Sequence, residues 1–467
     1  MMTRREFTGG VLAAAHAFGQ SRKPNIVWIM ADDLGIGDLG CYGQKHIQTP
    51  HIDRIAAEGM QFSDAYSGCT VCAPSRSVLM TGMHMGHTSI RSNPGGVPIL
   101  PSDVTVAEVL KKAGYATGCY GKWGLGDVGT DGAPWKKGFD EFYGYLHQVH
   151  AHWFYPQFLF HNERKDILPG NENGKRVTYS HDAIAEKGLA FIRRNASRPF
   201  FCYMPFTIPH LELLVPEDSM QPYRGKLPEG KPYDPPRAHY AKQMEPRVAY
   251  AGMVSRLDKT VGQVMALLKE LKLDENTIVF FTSDNGGATR LWGEEFFDSN
   301  AKFRGHKQNL YEGGIRAPML ARWPGKIKAG SKSTHPWYFA DFLATAAEIA
   351  GVAAPKTDGI SVLPVLRGGK TREHEYLYWE LPRHDAATGE FRREAPMQAA
   401  RKGQWKGVRP KPDGPIEIYN LKDDPAETKD LAGSRADLVK EFTRIFTEAH
   451  VDPRPQKNPP QMEFPHS

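Results

Sequence analysis

At 467 residues the chain exceeds a single ordinary hydrophobic core, so one large domain with a smaller companion is expected. Its 40% hydrophobic and 11% aromatic content suffices for buried sheets, and no stretch reaches the ~20 apolar residues of a membrane span. The net charge of +6 is small for this length and comes without a long Lys/Arg run, which argues against nucleic acid and mildly favours anionic ligands.

The amino terminus reads Thr3-Arg4-Arg5-Glu6-Phe7, then a weakly apolar stretch to Ala17 with Ala15-His16-Ala17 shaped for signal peptidase. Paired arginines before such a segment read as a twin-arginine export signal over residues 1–20, which places the mature protein in the periplasm or outside the cell. Of the five cysteines, Cys41, Cys119 and Cys202 sit beside apolar, strand-like sequence and read as buried thiols. Cys69 and Cys72 form a Cys-x-x-Cys pair, but no second pair completes a zinc knuckle, and a knuckle leaves Pro74 and Arg76 unexplained.

In chain order, Pro24 to Asp33 is a short apolar run ending in two carboxylates, the form of a buried parallel strand with functional residues at its carboxyl end. Adjacent Asp32 and Asp33 repel each other, so a dry position for both needs a cation. Thr49 to Gly59 has the pattern of a capped amphipathic helix, and Pro101 to Ala113 gives another with Val106, Val109 and Leu110 on one stripe. Tyr115 to Tyr120 is a strand that runs into Gly121-Lys122-Trp123-Gly124-Leu125-Gly126. His147 to Pro156 packs three histidines among aromatics.

Val177 to Arg194 is helical by period, Pro199 to Pro205 is the next strand, and Pro209-His210 follows it. Ala249 to Leu271 has the long pattern of a sheet-covering helix, and the strand from Asn276 closes on Asp284-Asn285. Asp32, Asp33, Asp284 and Asn285 make an all-oxygen set suited to a hard divalent cation, calcium first and magnesium second. Phe339 to Gly351 is a helix. Gly368-Gly369-Lys370 marks a break, after which short strands (375–379, 398–400, 404–408, 417–421) and a helix over 434–449 predict a small antiparallel subdomain. The expected division is 1–20 export signal, 22–368 catalytic α/β domain, 369–452 carboxyl-terminal subdomain and 453–467 extended tail.

Cys72-Ala73-Pro74-Ser75-Arg76, with Leu79 and Thr81-Gly82 behind it, resembles the signature of the type I, formylglycine-dependent sulfatases of the alkaline-phosphatase-like superfamily. The likeness extends over roughly residues 24–450 with the motifs in family order, and is similar to arylsulfatases and N-acetylgalactosamine sulfatases in particular. It implies a large mixed, mostly parallel sheet sandwiched by helices. It also implies that a maturing enzyme, formylglycine-generating or anaerobic, oxidises Cys72 to an aldehyde whose hydrate attacks sulfur. The metal set implied is Asp32, Asp33, residue 72, Asp284 and Asn285, around calcium.

By the same resemblance Arg76 steadies the hydrate, Lys122 and Lys307 bind sulfate, and His210 protonates the leaving alcohol, for which a near-neutral imidazole is suited. In the family the loop after Lys122 reads Gly-Lys-Trp-His-Leu-Gly, its histidine contacting the hydrate. Here position 124 is glycine. One of His150 or His152 is expected to fill that place or to touch substrate, and Trp153-Phe154-Tyr155 favour a sugar ring. The reading is a sulfatase acting on a sulfated carbohydrate, a galactose or N-acetylgalactosamine sulfate. The alternatives are a phosphodiesterase or phosphonate hydrolase of the same superfamily, and a sulfated-glycan binding protein that has lost catalysis.

Overall fold

The computed structural model describes residues 22–235, 240–385 and 388–456, so the expected export signal and the last eleven residues of the expected tail lie outside it. Among the described residues, ten strands form one sheet. They are β1 (Asn25–Ala31), β2 (Met60–Phe62), β3 (Ala116–Lys122), β4 (Glu141–Tyr145), β5 (Phe158–His161), β6 (Arg164–Ile167), β7 (Phe200–Pro205), β8 (Thr277–Ser283), β9 (Met319–Arg322) and β10 (Ser331–Ser333). Their order across the sheet is β10-β2-β9-β8-β1-β7-β3-β4-β5-β6. The middle, from β8 through β1, β7 and β3 to β4, is parallel. Antiparallel pairs at β9 and β5 flank it on either side.

Strand β1 is buried along all seven residues because it pairs on both edges and is covered on both faces. Alternation of side chains decides which face each residue joins. Ile26, Trp28 and Met30 enter one core. Val27, Ile29 and Ala31 enter the other.

The helices divide accordingly. They are α1 (Pro50–Ala57), α2 (Cys72–Thr81), α3 (Val106–Lys112), α4 (Ser180–Arg194), α5 (Pro246–Glu270) and α6 (Asp341–Ile349). Val78, Leu79, Val106, Leu110 and Phe342 pack with Trp28, whereas Ile52, Ile55, Ile184, Leu257 and Val261 pack with Ile29. Helix α3 begins five residues later than its pattern predicts, because Thr105 accepts from the Glu108 amide while Glu108 returns a bond to the Thr105 amide, a reciprocal cap that fixes the first turn there.

Beyond residue 368, β11 (Leu377–Leu381), β12 (Met397–Lys402), β13 (Trp405–Arg409) and β14 (Glu417–Asn420) form an antiparallel sheet backed by α7 (Ala436–Ala449). Its apolar face is continuous with the core on the α2 side: Tyr378, Trp379, Val408, Ile418 and Phe446 belong to the cluster that holds Trp28. The expected tail departs from a free extended segment at its start. Arg454 donates to the Pro98 carbonyl, and Gln456, 1% exposed, bonds both Ser92 and the Ser89 carbonyl.

Candidate active site

Four strand ends and one helix start converge at the carboxyl edge of the parallel sheet. β1 delivers Asp32 and Asp33, β3 ends in Lys122, β7 leads to His210, and β8 leads to Asp284 and Asn285. Helix α2 starts at Cys72, so Pro74 falls in its first turn, where the missing amide hydrogen costs nothing. The cysteine is the first helical residue. Asp33 has φ of 65°, a left-handed conformation uncommon for a residue with a side chain and typical of functional sites.

Cys72 Sγ lies 3.3 Å from Asp32 Oδ1, and Lys122 Nζ donates to Asp32 Oδ2 at 2.6 Å. Asp33 takes Lys307 Nζ on Oδ2 at 2.8 Å, with His210 Nε2 at 3.4 Å, and accepts from Asn285 Nδ2 on Oδ1 at 2.8 Å. Arg76 forks onto Asp284 Oδ2 at 2.8 and 3.1 Å and donates to the Lys122 carbonyl at 2.5 Å. The guanidinium, with no exposure to solvent, locks a carboxylate and the Lys122 main chain. All of these residues are buried.

Electrostatics in so dry a space are severe. Burial drives Asp32 up, but Lys122, His210, Arg76 and Lys307 together hold it well below the ordinary carboxylate range. Asp284 is pushed the other way, by burial and by Asp32 itself. Burial, with Asp32 and Asp284 beside it, raises the Cys72 thiol, so the encoded side chain is no thiolate nucleophile. His210 is not near-neutral: burial and the Lys307 charge bring it to about 4, against Asp33 and Asp32. Its Nδ1 donates to the Leu211 carbonyl, which leaves Nε2 facing the acidic centre.

The donor set fits a hard cation. Asp32, Asp33, Cys72 and His210 each offer a ligand atom within 4.8 Å of the others. Among the described residues Asn285 Oδ1 is buried without a hydrogen-bond partner, while its Nδ2 is used on Asp33 and the Gly286 carbonyl. An orphaned amide oxygen beside crowded carboxylates is what an oxygen-coordinated divalent ion satisfies.

The histidine and aromatic candidates take separate places in the fold. His150 is 2% exposed and packs edge-on to Tyr145 and against Phe158, with burial bringing it to about 3; it is an aromatic-core residue, away from the acidic centre. His152 lies flat on His210, centroids 4.8 Å apart and 15° from parallel, so it buttresses that ring. Neither fills the space over Gly124, where the three nearest atoms to an added Cβ all belong to Gln148. Trp153, Phe154 and Tyr155 are 7%, 0% and 7% exposed and are consumed by the cores, so they offer no platform for a sugar.

Some site residues escaped the sequence reading. Ser75 Oγ donates to the Asp284 carbonyl at 2.5 Å and accepts from Gly68 N, tying α2 to β8. Asn93 Oδ1 accepts from Ala73 N, beside the nucleophile position. A second His/Asp group, His84, His87 and Asp358, lies apart from the centre. There His84 Nδ1 accepts from Gly86 N, so its proton sits on Nε2, the tautomer wrong for a ligand at that nitrogen.

Fold and centre together define an α/β hydrolase of the alkaline-phosphatase-like type, with an acidic centre at the tips of a parallel sheet. The sulfatase family model matches residues 24–352, and that of the N-sulphoglucosamine sulphohydrolase carboxyl-terminal region matches residues 303–450. N-acetylgalactosamine-6-sulfatase of Canis lupus familiaris is 33% identical over 404 residues, covering 79% of this chain and 71% of the relative. Arylsulfatase A of Homo sapiens is 32% identical, over 94% and 90% of the two chains. The crystal structure of Ps i-CgsB in complex with k-i-k-neocarrahexaose superposes with a TM-score of 0.76 at 29% identity, over 91% and 92%. The chain belongs to the sulfatase family and is a sulfuric ester hydrolase.

Proposed function

We propose that this enzyme releases sulfate from a sulfated carbohydrate of the galactose or N-acetylgalactosamine kind, with residue 72 oxidised to formylglycine and one calcium ion held by Asp32, Asp33, Asp284 and Asn285. The observation that carries the reading is the meeting of two ammonium groups and one imidazole, from three separate loops, over paired carboxylates beside Cys72. When bound, the cation supplies charge that offsets the crowded carboxylates and polarises oxygen at residue 72.

The chain's own groups do the rest. Lys122 and Lys307 approach from opposite sides and hold the oxygens of a sulfate monoester as negative charge shifts toward the leaving group. His210 Nε2, oriented by the Nδ1 bond to Leu211 and by the face of His152, is directed at the departing sugar oxygen; the ring is neutral in the free centre, and it passes a proton there once Nε2 has taken one up beside Asp33. Arg76 keeps Asp284 ionised and fixes the Lys122 backbone. Cys72 is 1% exposed in the folded chain, so a formylglycine-generating or anaerobic sulfatase-maturing enzyme must reach it before α2 packs. The same reading has Arg4-Arg5 direct export.

The names of the relatives, one an N-acetylgalactosamine 6-sulfatase and one a structure holding a neocarrahexaose, support a sugar substrate. The test is sulfate release from defined sulfated mono- and disaccharides beside the matching phosphate esters, with chelated and calcium-restored enzyme. Sulfate release that falls on chelation and returns with calcium is expected. Turnover of the phosphate esters alone, or activity indifferent to chelation, would sink the reading.

A further inference from the structure

Gly124 stands two residues beyond Lys122 with φ of 74°, and a Cβ built on it would lie 2.0 Å from Nε2 of Gln148. No side chain fits there while Gln148 holds its place. The two loops are stitched together: Trp123 N donates to the Tyr145 carbonyl at 2.9 Å and Gly124 N to the Leu146 carbonyl at 3.0 Å, which carries Gln148 over Gly124. On the other side His147 packs on Gly95, 2.9 Å from where its Cβ would be. Gly95 is two residues from Asn93, whose Oδ1 takes the Ala73 amide next to Cys72. The Gln148 amide therefore lies against the loop that follows Lys122, while its neighbour His147 contacts the segment that leads to the start of α2.

Gln148 is 3% exposed, yet neither atom of its amide has a hydrogen-bond partner among the described residues. An amide left so is costly unless a ligand completes it, and most buried polar groups are paired. Space-filling alone would be served better by an apolar side chain of the same length. The carboxamide offers donors and an acceptor without changing charge, which suits an oxygen-rich anion already neutralised by lysines.

We propose that Gln148 is a sulfate-binding residue of this site: from the neighbouring loop it supplies a hydrogen-bonding group where position 124 has no side chain, and its amide holds an oxygen of the bound sulfate group. It cannot act as a base, since a carboxamide does not titrate, so it orients and does not abstract a proton. This rests on the sulfatase reading above.

The test compares wild type with Gln148→Met and Gln148→Glu, all checked for the same oxidation state at residue 72. Wild-type sulfate release is measured first; if wild type hydrolyses no sulfate ester, the functional reading fails, and the assignment of Gln148 with it. Given wild-type turnover, Gln148→Met should keep or raise the melting temperature, because it removes an unsatisfied buried amide, while kcat/KM falls about 10- to 100-fold and inhibition by inorganic sulfate weakens. Gln148→Glu, isosteric but anionic, should lose more activity than Gln148→Met through repulsion of sulfate. A Gln148→Met enzyme within about two-fold of wild type in kcat and KM overturns the proposal, and so does a Gln148→Glu enzyme as active as wild type. Should Gln148→Met fail to fold, a structural role is shown and the proposal is overturned as well.

Discussion

Single side chains divide the labour at this centre by what they touch. With His210 in the proposed role of acid to the leaving oxygen, His210→Ala should cost about 10²- to 10⁴-fold on a sugar sulfate, whose alcohol leaves poorly. The loss should be far smaller on nitrophenyl sulfate, which needs no acid, and parallel kcat measurements on the two esters check it; equal losses would mean the ring does something else. Lys307 and Lys122 each meet a different aspartate, and Lys307→Ala should lower kcat and weaken sulfate inhibition together. The convergence of these residues was legible because each follows an apolar strand or a Gly/Pro-marked turn, where a charged group has no structural reason to be. Gln148 was not: within His147-Gln148-Val149-His150 nothing local marks the glutamine, and only the fold shows that it lies over Gly124. His150 and His152 could not be told apart in the sequence, because an aromatic-histidine run reads alike in a lid and in a core; the fold packs one among aromatics and stacks the other on His210.

At the scale of elements, the strands whose tips make the site were readable because they are buried on both faces and hence continuously apolar. The outermost pair β5 and β6 was not, since both strands are four residues long and the edge strand β6 is mostly exposed, so no burial pattern announces it. Helix α6 offers a pH test. Buried Asp341 accepts from His374 Nε2 at 2.7 Å and from the amides of Tyr338 and Ile360, tying the segment before β11 to the catalytic layer. Burial pulls His374 down, but Asp341 outweighs it and the folded pKa sits above 6.5. A raised histidine stabilises fully below its unfolded pKa and loses that contribution as pH rises through the folded value. Stability should therefore decline above pH 6.5 with a slope of at most ~1.4 kcal/mol per pH unit from this group. His374→Gln should flatten that part of the profile in denaturant melts; an unchanged slope would contradict the pairing.

The whole molecule is held as one catalytic body by a buried ionic seam. Lys406 of β13, unexposed, donates to Glu312 at 2.9 Å and pairs with Glu427 at 2.8 Å, while Tyr311 reaches Glu417. The carboxyl-terminal sheet thereby fixes the loop that carries Lys307. Removing one partner of such a seam strands buried charge, so Lys406→Ala should cost about 3–5 kcal/mol of stability. Sulfate turnover should fall with it even at temperatures where the variant is folded; full activity in a folded variant would show that the seam does not position Lys307. The subdomain itself was readable from the break at Gly368-Gly369, but its sharing of a core with α2 and β1 was not, because sequence periodicity reports that a face is buried and not against what.

The account turns on residue 72. Peptide mass spectrometry of the segment spanning Cys72, on enzyme shown to release sulfate, tests it most directly. The expected result is the mass of the aldehyde or its hydrate in proportion to activity; a fully active preparation carrying only the unmodified thiol would contradict it.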